Sequence, residues 1–226
     1  MGKAGLAVVG IVLSAAAAAA SLPGISEADA VAGLKTALEK GTQAAVAKLG
    51  RTDGFLGNQL VRIALPESAQ RAERMMRRVG MGKYADELIV TMNRAAEAAV
   101  PEARSLFVQS VRKMTLRDAK GILTGGDTAA TDYFRRSARE PLHQRFLPIV
   151  RGATAKVQLA RAYDRYAGKA AAVGLMREQD TDLDEYVTQK ALDGLFLMVA
   201  EEEKQVRADP LKSASSIVRK VFGALQ

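Results

Sequence analysis

Between Ala191 and Ala200 a single polar side chain, Asp193, interrupts an apolar run that includes Leu192, Leu195, Phe196, Leu197, Met198 and Val199. A helix that is apolar around nearly its whole circumference is stable in water only when neighbours enclose it on every side. The run therefore predicts a central helix with the rest of the chain wrapped around it. Asp193 is expected to have a basic partner, Lys190 or an arginine, because an unpaired buried carboxylate costs roughly several kcal/mol.

Composition says what the wrapping is made of. Apolar residues are 48% and charged residues 26%, but aromatics are only 5% and tryptophan is absent. That mix, rich in alanine, favours closely packed helices over a β-sandwich. The 226 residues are enough for one sizeable core. There is no cysteine, which removes disulfides, thiolate nucleophiles, iron–sulfur clusters, Cys-based zinc sites and a lipoprotein anchor. His143 is the only histidine, so a two-histidine zinc site is impossible. The usual nucleophilic triads also lack support, for there is no Gly-x-Ser-x-Gly elbow. No pattern calls for a cofactor.

Capping chemistry divides the chain. Ser26 with Glu27 and Asp29 opens a helix that Gly50 stops. Residues 51–58 are loop chemistry, and Val61 to Leu65 reads as an extended connector ended by Pro66. Helical patterns continue over 67–79 and 82–99, separated by Gly80 and Met81, and over 101–114 with Pro101 in the first turn. Thr115 and Asp118 have capping-box spacing. After Gly125 and Gly126, Asp127 or Thr128 caps a helix to about Arg139, and Pro141 and Pro148 bend or restart the next segment, to about Gly168. Residues 169–181 form a loop, Asp182 caps a long helix to about Ala208, and a short helix covers 211–222. No repeat, heptad seam or low-complexity linker is present. The expected fold is all-α: one compact domain over residues 31–226, with about seven to nine helices around the buried C-terminal helix.

The N-terminus is separate. Lys3 precedes an uncharged run from Ala4 to Leu22 that contains six consecutive alanines, Ala15 to Ala20, with small-residue cleavage positions after Ala20 or Ala30. This reads as a cleavable signal peptide over residues 1–30 and predicts a periplasmic protein. The alternative is an inner-membrane anchor through residues 4–22. Net charge is +8, and removal of Lys3, Glu27 and Asp29 raises it to +9. Outside the cytoplasm, anionic lipid or another envelope polymer is the natural partner. Nucleic acid is disfavoured by export and by the lack of interleaved aromatic residues.

Four groups of residues invite a chemical role. Gly125, Gly126, Asp127 and Thr128 would present amides at a helix N-terminus, which suits an anion, although a plain cap explains them more simply. Asp127, Asp132 and Asp193 would suit a hard cation if they converged, with a structural network through Thr131 and Tyr133 as the simpler outcome. Asn93 and Glu97 lie one turn apart and would join that network if buried. Arg71, Arg74, Arg77, Arg78 and Lys83 make the segment around Met75, Met76 and Val79 a basic amphipathic helix. It reads as an anionic-surface contact or, more plainly, as a surface helix with a Met-lined core face.

The stretch from Met114 to Leu123, leading into Gly125, Gly126, Asp127, Thr128, Ala129, Ala130, Thr131, Asp132, Tyr133 and Phe134, resembles an uncharacterised bacterial family, domain of unknown function 4197. Residues Gly50 to Leu56, Met92 to Ala99, Tyr186 to Phe196 and Glu201 to Lys204 match it in the same order. The resemblance implies an exported helical protein of one domain and brings no activity with it. The leading expectation is a non-enzymatic periplasmic helical protein that binds an envelope partner, or a lipid-like ligand between its helices. The alternatives are a carboxylate-based metal-dependent enzyme or metal-binding protein, and a basic surface for anionic lipid or nucleic acid.

Overall fold

A computed structural model describes residues 26–157, 160, 163 and 182–209. Most of the expected leader, the continuation towards Gly168, the 169–181 loop and the 211–222 helix lie outside the described residues. Within them the order is α1 (Glu27–Leu49), α2 (Glu67–Arg78), α3 (Gly82–Ala99), a 3-10 turn (Val100–Glu102), α4 (Ala103–Lys113), α5 (Leu116–Leu123), α6 (Ala129–Thr154) and α7 (Leu183–Ala208). The chain is all-α. None of the described helices is long and apolar enough to cross a membrane.

Helix α7 is the axis of the fold. It packs against α6, α1 and α3, and Leu183, Val187, Ala191, Leu192, Leu195 and Phe196 are completely buried. Phe196 lies edge-on to Phe107 of α4 at 6.3 Å between ring centroids, and Phe107 meets Phe134 of α6 edge-on at 5.0 Å. Such aromatic pairs add about 0.5–1.5 kcal/mol beyond area burial. Asp193 and Leu197 are exposed, so the apolar run has one open edge. There Asp193 pairs with Arg139 of α6 at 3.1 Å rather than with Lys190.

The caps match the sequence closely. The Ser26 hydroxyl accepts from the Asp29 amide. Thr115 and Asp118 form a reciprocal capping box, and its two bonds hold the Asp118 carboxyl below the usual range. The Asp182 carboxylate accepts from the Glu185 amide. Helix α1 begins at Glu27, ahead of the expected domain start at residue 31.

Helix α6 departs from expectation. It runs unbroken through Pro141 and Pro148. Each proline removes one amide and orphans a carbonyl one turn back, at Ser137 and Gln144. Both prolines and both of those residues are exposed, so water satisfies the freed carbonyls and the helix continues.

The connector between α1 and α2 crosses α7. Gly54 is required, since a Cβ there would sit 2.3 Å from the Leu49 carbonyl oxygen. Phe55 is fully buried against Gly194 of α7, where a Cβ would approach its ring to 2.8 Å. That glycine lets the connector lie close on the central helix.

Candidate functional site

Asn93 and Glu97, on the buried side of α3, both serve the connector. Asn93 Oδ1 accepts from the Ile63 amide at 2.9 Å, and its Nδ2 donates to the carbonyls of Ile63 and Ile89, each at 2.8 Å. Glu97 Oε1 accepts from the Phe55 and Leu56 amides at 3.0 and 3.1 Å. Its Oε2 takes Arg94 at 2.6 Å, and Arg94 also reaches Asp53 at 2.8 Å. The two side chains do the work of a missing β-partner for an irregular segment, and both are committed to the fold.

The turn before α6 has an unexpected cap. Thr128 occupies the N-cap position but makes no side-chain bond to the helix amides. The amides are taken from across the fold by Glu203 of α7, which accepts from Ala130 N at 2.9 Å, Thr131 N at 2.8 Å and Thr131 Oγ1 at 2.9 Å. Arg207 holds Glu203 through two nitrogens at 3.1 and 2.9 Å and donates to the Ile122 carbonyl at 2.9 Å. The anion that a helix N-terminus favours is thus the protein's own carboxylate.

The three aspartates do not converge. Asp127 and Asp132 are exposed, and Asp132 lies 3.4 Å from the Thr128 hydroxyl. Asp193 is on Arg139. Among the described residues no group of three or more His, Asp or Glu is placed to hold a metal. Thr131 turns to α7, the helix that carries Asp193, but meets it at Glu203, ten residues beyond that aspartate. Tyr133 donates to the Ser110 carbonyl of α4 at 2.7 Å, and burial pushes its phenol above the ordinary value.

Sequence reasoning missed Glu203 as a site residue. It stands one turn beyond Val199 and two beyond Phe196 on the buried stripe, and a carboxylate at such a position needs donors. A polar chain between α6 and α7 was also missed. His143 Nε2 meets Glu185 at 2.8 Å, Gln189 donates to Glu185 at 2.7 Å, and Arg139 donates to Gln189 at 2.6 Å.

Helix α2 buries none of its residues and packs chiefly on α3. Met75 is 62% exposed and Val79 70%, so the expected Met-lined core face is wrong for these two; only Met76 is half-buried. The side towards the protein carries Ala69, Gln70, Glu73 and Met76, all half-buried. Ala72, Met75 and Val79, at i, i+3 and i+7, form an outer apolar stripe. Exposed Met81 and Tyr84 extend beyond it, with Lys83 5.1 Å from the Tyr84 ring. Arg77 is engaged by Glu73 at 2.9 Å and Asp86 at 2.5 Å. Arg71, Arg74 and Arg78 form no ion pair among the described residues.

The sequence over residues 24–223 matches the family described as "Protein of unknown function (DUF4197)". The chain belongs to this family. No curated protein and no solved structure matches it. Family membership therefore carries no chemistry, and function rests on the arrangement of residues.

Proposed function

We propose that the protein is a non-enzymatic, exported helical protein that docks on an anionic membrane surface, with α2 as the contact helix. The observation that carries this is the outer face of α2. A helix none of whose residues is buried presents Ala72 and Met75, with Val79 at its C-cap, in one exposed stripe, beside arginines at 71, 74 and 78 that form no ion pair among the described residues. Clustered exposed apolar side chains flanked by cations mark a surface for something both apolar and negative. Each basic residue close to an anionic bilayer contributes about 1 kcal/mol, and inserted methionine and valine add apolar burial.

The expectation of a lipid-like ligand between helices has less support. The crevice between α1, α6 and α7, lined by Leu38, Phe134 and Val199 among others, holds about 30 Å³. That is room for about one water, whereas ligand pockets run to roughly 300 Å³ and more. Co-sedimentation with phosphatidylcholine vesicles, with and without phosphatidylglycerol, tests the proposal. Binding is expected only to the anionic vesicles, to weaken with salt, and to fall at least about tenfold in Met75→Asp/Val79→Asp. Equal pelleting of the variant and the parent protein would sink it.

A further inference from the structure

On the inner side of α2, away from the apolar stripe, an open groove of about 490 Å³ separates the helix from the connector. Leu65 and Ile89 line it together with three guanidiniums, Arg62, Arg74 and Arg77. The convergence is a tertiary product. Asn93 grips Ile63 by its amide and carbonyl, which turns the Ile63 side chain inward to 2% exposure. In extended backbone the neighbouring side chains face the other way, so Arg62 is delivered outward beside α2, where Arg74 and Arg77 already stand.

Glu73, the one carboxylate among the lining residues, is turned into Arg77, its Oε1 accepting from Nε at 3.0 Å and Nη2 at 2.9 Å. Asp86 takes the other side of Arg77. Arg62 and Arg74 form no ion pair among the described residues. With Arg77 neutralised by Glu73 and Asp86, the unpaired positive charge of the groove is that of Arg62 and Arg74, and concave walls concentrate its field. Guanidinium forks match the oxygens of a phosphate in paired hydrogen bonds.

We propose that this groove binds a phosphate monoester, with Arg62 and Arg74 as its direct ligands and the Glu73–Arg77–Asp86 cluster as its fixed wall. The inference rests on the membrane-surface proposal only for what carries the phosphate, a lipid headgroup or a soluble molecule. The two proposals share Arg74, but the apolar stripe of Ala72, Met75 and Val79 is absent from the groove lining, so Met75→Asp/Val79→Asp and the groove variant test them separately.

The test uses the full chain, its Arg62→Gln/Arg74→Gln variant and the charge-matched Arg104→Gln/Arg112→Gln control on exposed positions of α4. Each is titrated with glycerol 3-phosphate in solution. Each is also pelleted with vesicles containing phosphatidic acid or phosphatidylglycerol at equal surface charge. Wild type and control are expected to favour the monoester in at least one arm, and the groove variant to lose that preference by at least about tenfold. Preference in solution assigns a soluble phosphate, and preference on vesicles alone assigns a headgroup. If wild type shows no monoester preference in either arm, or the groove variant keeps it, the proposal is overturned. Absence of all vesicle binding with monoester binding in solution overturns the membrane proposal and leaves the groove standing. Thermal unfolding of the three proteins at a common midpoint ties any loss to the groove rather than to folding.

Discussion

Helices α2 and α7 are both written in the sequence as apolar residues at helical spacing, and they use them in opposite ways. In α7 the apolar side chains face α1, α3 and α6 and are nearly all dry. In α2 Met75 and Val79 face water, and the side towards the protein is half polar. The contrast teaches that apolar periodicity reports a face that prefers to be covered, without saying whether the same chain covers it. Stability should therefore reside in α7 and its partners, and the apolar residues of α2 should be nearly irrelevant to it.

That contrast can be broken by mutation. Phe196→Ala empties a fully buried position beside Phe107 and is expected to cost about 3–5 kcal/mol in denaturant unfolding. A loss below about 1 kcal/mol would mean that α7 is not the core. Glu203→Ala strips the cap from Ala130 and Thr131 and removes one ion-pair partner of the half-buried Arg207, for a loss of about 2–3 kcal/mol. Hydrogen exchange should then show the first turn of α6 opening before the rest, and uniform protection would contradict the cross-fold cap. Gly194→Ala forces a methyl against Phe55 and Val61 and is expected to lower stability by about 1–3 kcal/mol. No change there would show that the connector moves off α7 freely.

Acid should act more weakly, through the α6–α7 polar chain. Burial raises the Glu185 carboxyl, but hydrogen bonds from Gln189 and His143 outweigh it and hold the group below the ordinary glutamate value. A depressed folded-state value means that its contribution is present above the ordinary glutamate range and is lost as pH falls through the folded value. Glu185→Gln should flatten that part of the stability–pH curve, and an unchanged slope would remove Glu185 as its source. The smallest effect belongs to α2. Met75→Asp/Val79→Asp should stay within about 0.5 kcal/mol of the parent protein, whereas a loss of more than about 2 kcal/mol would show that α2 belongs to the core after all.

Much of the fold was legible because its signals are local. Ser26, the Thr115–Asp118 box and Asp182 start helices where side-chain oxygens can reach amides three residues on. Ala191 to Ala200 announced the central helix because an all-round apolar surface has one stable environment. The continuity of α6 was not legible. Whether Pro141 and Pro148 break a helix depends on whether the orphaned carbonyls meet water, which is a matter of orientation on the finished fold. The candidate site was less legible still. Asn93 and Glu97 were marked by their shared face, but their partners, the connector amides at 55, 56 and 63, are 30 or more residues away in the chain.

The sequence by itself determined that this is an all-helical, cysteine-free member of its family, where most of its helices begin, and which one lies at the centre. Each arises from interactions within a few residues or from a whole face of one composition. Only the tertiary structure decided that Glu203 caps α6, that the three aspartates stand apart, that α2 leaves its stripe uncovered, and that Arg62 joins Arg74 and Arg77 on one groove. Those outcomes depend on which distant groups packing brings within hydrogen-bond reach, and no periodicity along the chain encodes that distance.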